Sequence, residues 1–178
     1  MFPKKISFLM IFSLVTLLFP GFILAEYSGL SGFSELAFIK RNTFDPNHYY
    51  TEFINSSWKP GGGIFILNLA DRSERELFPQ MSGGVFGRFD ISFDAKRIVF
   101  SYKKSAGEGF RIYSANIDGT NLRQLTFPEP GEAETAKKFK RGKYHNGTDD
   151  MDPCWLPDGG IAFVSTRPRY GVLCDPSD

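Results

Sequence analysis

The chain has 178 residues, room for one ordinary domain, and its 21 basic and 20 acidic side chains leave a formal net charge of only +1. A balance that close to neutral gives no global basic field to attract a nucleic acid. Nineteen phenylalanines, with 18 glycines and 11 prolines as punctuation and no long helical periodicity, point to β-structure.

Residues 1–25, "MFPKKISFLMIFSLVTLLFPGFILA", stand apart from the rest. Lys4 and Lys5 make a short basic start, the following run is almost wholly apolar, Pro20 and Gly21 break it, and Ala25 precedes Glu26. This layout predicts a secretory signal peptide and hence a periplasmic or extracellular location. The alternative is an uncleaved membrane anchor over residues 6–24, nearly long enough to span a bilayer. Loss of Lys4 and Lys5 would take the formal charge from +1 to about −1. Asn55-Ser56-Ser57 and Asn146-Gly147-Thr148 match the glycosylation sequon, which matters only in a eukaryotic source.

Beyond residue 26 the sequence repeats itself. "LAFIK" from Leu36, "IVFSY" from Ile98 and "IAFVS" from Ile161 recur at spacings of about 62 and 63 residues. "IFILNLADRSEREL" from Ile64 aligns without a gap on "IYSANIDGTNLRQL" from Ile112, pairing Asn68 with Asn116, Arg75 with Arg123 and Leu77 with Leu125. "GGIFILNL" is nearly continuous apolar, as for a strand covered on both faces. The glycines of "PGGGIF" (60–65) precede no helix and no Lys-Ser/Thr pair, so close strand approach explains them better than phosphate binding. Asp118-Gly119 signals a hairpin. Asp94 and Asp158 fall in tight turns where a carboxylate can accept backbone N–H bonds, and Gly159 tolerates a positive φ. Ala95 stands where such a turn usually has glycine, so that turn is expected to avoid the left-handed region. Together "DISF", "RIVFSY", "FRIYSANI" and "LRQLTF" make a four-stranded antiparallel unit. Such a sheet cannot bury both its faces alone, and stacking copies around an axis solves this as β-propeller blades do.

These residues also carry a family resemblance. "CWLPDGGIAFVST" resembles the W-S-P-D-G-x-x-I-A-F signature of TolB-type, WD-like propeller repeats, and residues 87–127 resemble a whole blade of that kind. In sequence order, "GGGIFILNL", "MSGGVF", "SFDAKRIVFSYK", "GFRIYSANIDGTNLRQLT" and "DMDPCWLPDGGIAFVSTR" resemble propeller proteins similar to the middle domain of the hydrazine synthase alpha subunit, over roughly residues 35–168. The resemblance implies an all-β fold, a partial propeller of about two and a half four-stranded antiparallel blades. Residues 26–178 would form the domain, with blades at roughly 35–80, 87–127 and 152–178 and an inserted loop at 128–151. That subunit carries c-type haems, but this chain has no C-x-x-C-H, so covalent haem is excluded and no cofactor is expected. The third copy breaks off before its outer strands. A portion of a longer protein is therefore expected, with ring closure by several copies as the alternative; an incomplete ring leaves open edges and an uncovered face.

The inserted stretch runs from acidic (Glu129, Glu132, Glu134) through basic (Lys137, Lys138, Lys140, Arg141, Lys143) to acidic again (Asp149, Asp150, Asp152). A solvated loop is the expectation, and a lid or partner-binding loop the sharper alternative. Asp149, Asp150 and Asp152 with His145 offer cation ligands, but their spacing is not that of an EF-hand, and turn capping explains them better. His48, Tyr49, Tyr50 and Glu52 lie in a connection where packing onto a neighbouring sheet is expected over pocket lining. Cys154 and Cys174 enclose about 20 residues. A disulfide suits an exported chain, yet the blade arrangement sets these cysteines on strands that are not neighbours, and pairing stays open. Neither has a histidine close in sequence to serve as a base, and no G-x-S-x-G is present. No catalytic, cofactor-binding or metal residue is assigned. The expected function is an exported propeller module, non-catalytic by itself, that binds a protein or small-molecule ligand at the propeller mouth, with no nucleic acid and, after signal removal, no membrane. The alternative is the N-terminal propeller portion of a larger enzyme, hydrazine synthase alpha-like or a propeller-gated peptidase, with catalytic residues beyond residue 178.

Overall fold

The computed structural model describes residues 32–42, 58–138 and 147–168. Outside them lie segment 1–25, whose layout predicts a signal peptide, the 44–53 connection with His48, Tyr49, Tyr50 and Glu52, both sequon asparagines, His145, and Cys174. The chain divides into two compact units, Met1–Leu36 and Ala37–Asp178. Of the first, only the exposed stretch 32–36 is described.

Short β-strands dominate the described residues. The strands β1 (Glu35–Lys40), β2 (Gly63–Asn68) and β3 (Glu74–Glu76) form a first sheet in that order. A four-stranded second sheet follows as β4 (Val85–Ile91), β5 (Arg97–Lys103), β6 (Arg111–Asn116) and β7 (Arg123–Gln124), and β8 (Asp150–Trp155) pairs with β9 (Ile161–Ser165) in a third. All the registered pairs are antiparallel. One turn of 3-10 helix (Pro79–Met81) and one short helix, α1 (Glu132–Lys138), complete the set. The expected four-stranded unit is present, although its last strand, read from "LRQLTF", is only two residues long. Leu125 and Thr126 leave the ladder there, both donating N–H groups to the Ile112 carbonyl.

Four turns are each locked by an aspartate that accepts the amide N–H two residues on: Asp71 from Ser73, Asp94 from Lys96, Asp118 from Thr120 and Asp158 from Gly160, at 2.8–3.1 Å. Gly159 takes positive φ as expected, and Gly119 does so too. Ala95 corrects the reading of its turn: its φ is +56°, inside the left-handed region. Local bonds outweigh its steric cost. Ala95 N–H donates to the Ser92 carbonyl, the Ser92 hydroxyl donates to Asp94 at 2.6 Å, and Arg97 N–H donates to the Ser92 hydroxyl. Gly62 bears out the close-approach reading, since an added Cβ would lie 2.0 Å from the Lys40 carbonyl oxygen.

Alternation along β5 shows how the sheets stack. Ile98, Phe100 and Tyr102 pack in one apolar cluster with Ile64, Ile66, Leu77 and Phe78 of the first sheet and its exit. Val99 points the other way, into a cluster with Ile112, Trp155 and Ile161 that joins the second sheet to the third. Both faces of β5 are buried, which suits the apolar run Ile98, Val99 and Phe100, while Ser101 and Lys103 are buried polar residues. β2 differs: Ile64 and Ile66 are buried, but Phe65 and Leu67 on its other face are only half-buried.

The sequence repeats occupy matching places. The order β1-β2-β3 mirrors β5-β6-β7, and β8-β9 mirrors β4-β5. Orientation matches too. Ala37 and Ile39, the counterparts of Val99 and Ser101, face the second sheet, just as Val99 faces the third. Both β4 and β8 carry a bulge, between Phe86 and Phe89 and between Met151 and Cys154. The described sheets form an open stack, not a closed barrel.

Candidate functional site

Where β6 begins, the chain places charges inside the protein. Arg111 opens that strand and is 4% exposed. Its Nη2 donates to both carboxylate oxygens of Glu132 at 2.9 and 3.1 Å, and its Nη1 donates to the carbonyls of Phe110 and Thr148. A planar guanidinium suits this fork of acceptors where an ammonium would not. Glu132 also accepts the amide and hydroxyl of Thr148, each at 2.9 Å, and the amide of Glu129 at 3.0 Å. Burial pushes the Glu132 pKa up, but the Thr148 and Glu129 amides, the Thr148 hydroxyl and Arg111 together hold it below its ordinary value.

Two aspartates extend the network. Asp149 accepts the Phe110 amide at 2.7 Å, while the Asp150 amide donates to the Phe110 carbonyl at 3.0 Å, so main chain and side chain both tie the third sheet to the second. Asp150 is 0% exposed and accepts from Arg167 Nε and Nη2, at 3.0 and 2.6 Å, and from the Ser165 hydroxyl at 2.7 Å. Burial raises its pKa, yet Arg167, Ser165 and Thr126 bring it below the usual carboxylate value. Lys103, 7% exposed at the end of β5, has its pKa pushed down by burial, with the Asp149 charge opposing. Gly109 makes the approach possible: an added Cβ would sit 1.8 Å from the Thr148 carbonyl oxygen. Farther along, Arg88 and Asp152 join the two bulges at 3.6 Å, the Trp155 main-chain amide donates to the Asp90 carboxylate, and Arg97 lies 4.3 Å above the Trp155 ring.

These positions revise the reading of residues 128–151 as a solvated loop. The stretch contains helix α1, and Glu132, Thr148, Asp149 and Asp150 are buried. Its acidic groups belong to different structures, Glu132 and Asp150 to guanidinium pairs and Asp149 to a backbone amide. Among the described residues no group of three metal-ligating side chains gathers, and His145 lies outside them. Cys154 is exposed on β8. Sequence reasoning missed Arg111, whose place inside an apolar strand is its only signal. Chemically the arrangement is a clamp: it fixes the 147–150 segment and α1 against β6. No helix among the described residues is long and apolar enough to cross a membrane.

Comparison with known proteins finds no matching family model and no matching curated protein. Among solved structures, hydrazine synthase from Kuenenia stuttgartiensis is similar at 18% identity and a TM-score of 0.42, over 75% of this chain and 17% of that one. The chain therefore spans about a sixth of the length of that structure.

Proposed function

We propose that the chain is an exported β-propeller module of the TolB-type, WD-like kind that binds a ligand and has no catalytic role of its own. The observation that carries the architecture is the uniform sense of the stack. Equivalent residues face the same way in successive sheets, so each sheet meets the next through the same pair of faces. Repeated stacking of that kind around an axis is how propellers bury sheets that cannot shield themselves. Binding, not catalysis, fits a charged cluster whose carboxylates and guanidinium groups are committed to one another. A protein or small-molecule ligand would contact the loops at one mouth of the axis. Export is proposed from the basic-apolar-small layout of residues 1–25 alone.

Two measurements test this reading. Purified chain is screened by thermal shift against peptide and metabolite panels, and assayed on chromogenic ester, phosphate and peptide substrates. A saturable shift without turnover supports it; turnover that scales with the purified chain overturns it. Residues 1–25 fused to an alkaline phosphatase that folds only outside the cytoplasm should yield active enzyme, and an inactive cytoplasmic fusion overturns export.

A further inference from the structure

The bulge in β8 brings a strained residue, a nucleophile and a leaving group to one peptide bond. Asp152 and Pro153 fall between the registered pairs Met151–Val164 and Cys154–Ala162, and Asp152 has a φ of +49°. Left-handed backbone is costly for a residue with a side chain, and a following proline pushes its predecessor toward extended conformations instead. The bulge in β4 is built without that cost, since no residue from Phe86 to Phe89 has a positive φ. Neighbours hold Asp152 from both sides. Asp150 is bonded to Arg167, Ser165 and the Phe110 carbonyl, the Trp155 amide is bonded to Asp90, and Met151 and Pro153 are buried. A strained residue persists where its surroundings over-determine it.

An aspartate can offset a left-handed φ by bonding its carboxylate to nearby main chain. Asp152 Oδ1 accepts no hydrogen bond among the described residues. Arg88 Nε stands 3.6 Å from it, an ion-pair distance too long for a hydrogen bond. That oxygen belongs to the same residue as the carbonyl that leads into Pro153, so attack on it is intramolecular.

We propose that the chain cuts its own Asp152–Pro153 bond, with the Asp152 carboxylate as nucleophile. A carboxylate oxygen bonds to the Asp152 main-chain carbonyl carbon, and the carbon–nitrogen bond to Pro153 breaks. The proline nitrogen leaves with the bonding pair and takes up a proton from water, becoming a secondary amine. Water then adds to the cyclic anhydride left behind, which restores the side-chain carboxylate and leaves Asp152 as a new C-terminus. One water is consumed overall, and nothing is oxidised or reduced. Release of the left-handed φ favours the cut in the folded chain over the unfolded one. The event is single and internal, so it goes beyond the binding reading and does not depend on it. The Met151–Val164 pairing and the bonds of Arg167 to Asp150 keep the two pieces together afterwards.

Incubation of the purified full chain at mildly acidic pH, followed by denaturing electrophoresis and mass spectrometry, reads the outcome. One product should end at Asp152 and the other begin at Pro153, at a first-order rate that does not change with protein concentration. The folded chain should cut at least about ten-fold faster than the same chain in urea at the same pH, because only the fold holds the reacting groups in place. Asp152→Gly puts a residue at ease with positive φ in the bulge and removes the carboxylate, so it should stay whole. Pro153→Ala should slow the cut by a similar factor to urea. A folded chain that remains intact overturns the proposal. Equal rates with and without urea overturn it too, leaving only the ordinary acid lability of an aspartyl-prolyl bond. So does a cut that persists in Asp152→Gly, which would mean a contaminating protease. If near-ultraviolet dichroism shows that Asp152→Gly does not fold, the comparison of folded and urea-unfolded chain decides alone.

Discussion

Two interfaces flank the second sheet, and they are built on opposite principles. Between the first and second sheets lies one continuous apolar cluster in which Phe78, Phe86, Phe100, Tyr102 and Tyr113 form a chain of ring contacts at 4.8–5.8 Å. Its one buried hydroxyl, on Tyr102, donates to the Met81 carbonyl at 2.8 Å. Between the second and third sheets the apolar contact splits into two small clusters, and the Arg111 network lies among the same strands. Area drives the first interface, with little directional demand. The second depends on satisfied partners, and leaving any one alone in a dry site is costly.

The largest expected effect tests the aromatic side. Phe100→Ala removes the ring shared by three aromatic contacts and should cost about 4 kcal/mol, read as a lowered urea midpoint at unchanged slope. Glu132→Ala strands the buried Arg111 and should cost about 3 kcal/mol. The double variant Arg111→Met/Glu132→Leu should recover much of that loss, with the Thr148 and Glu129 amides keeping the remainder. If the double variant is no better than the single, the pair matters as a capping acceptor and not as a charge pair.

Acid should separate the two sides as well. Glu132 and Asp150 have folded pKa values below their ordinary 4.5 and 3.8, so the stability they contribute is complete above those values and lost as pH falls through the folded ones. Trp58 and Trp155, the chain's two tryptophans, both pack on the third-sheet side. Their fluorescence should change in acid before far-ultraviolet dichroism does, and coincident transitions would refute separate loosening. Lys103 has the opposite sign: its folded pKa lies below the ordinary 10.5, so its charged form costs stability at neutral pH and the cost falls as pH rises through the folded value. Lys103→Met should therefore raise the melting temperature at pH 7, by about 3 °C for a gain of ~1 kcal/mol. The smallest effect is Ala95→Gly, where relief of left-handed strain should outweigh the added freedom of the unfolded chain by about 0.5 kcal/mol.

The aromatic side was legible in the sequence and the charged side was not, for a physical reason. Strands β2 and β5 announce themselves because burial on a sheet face leaves runs of Ile, Val and Phe, and β6 and β9 because they repeat those segments along the chain. The aspartate turns are equally readable, since a carboxylate bonding two residues ahead is a local event. Arg111 with Glu132, and Asp150 with Arg167, are meetings of residues 21 and 17 positions apart. Nothing local tells Glu132 from Glu134, which is exposed in the same helix. Helix α1 hid in the same way: seven residues of "EAETAKK" within a charge-rich stretch show no apolar stripe. Ala95 misled because propensity described the residue in isolation, while four local bonds decide its turn.

Gly107 and Gly109 sit two residues apart, yet a Cβ at Gly107 meets nothing within 4 Å and one at Gly109 collides with the Thr148 carbonyl. The approach to β6 therefore passes from open water to a sealed seam within a single dipeptide step. A fluorophore or surface tether attached at residue 107 should ride outside the protein without disturbing it, while even a methyl group at 109 would wedge the seam apart. That contrast supplies a built-in attachment point for holding the molecule in a chosen orientation.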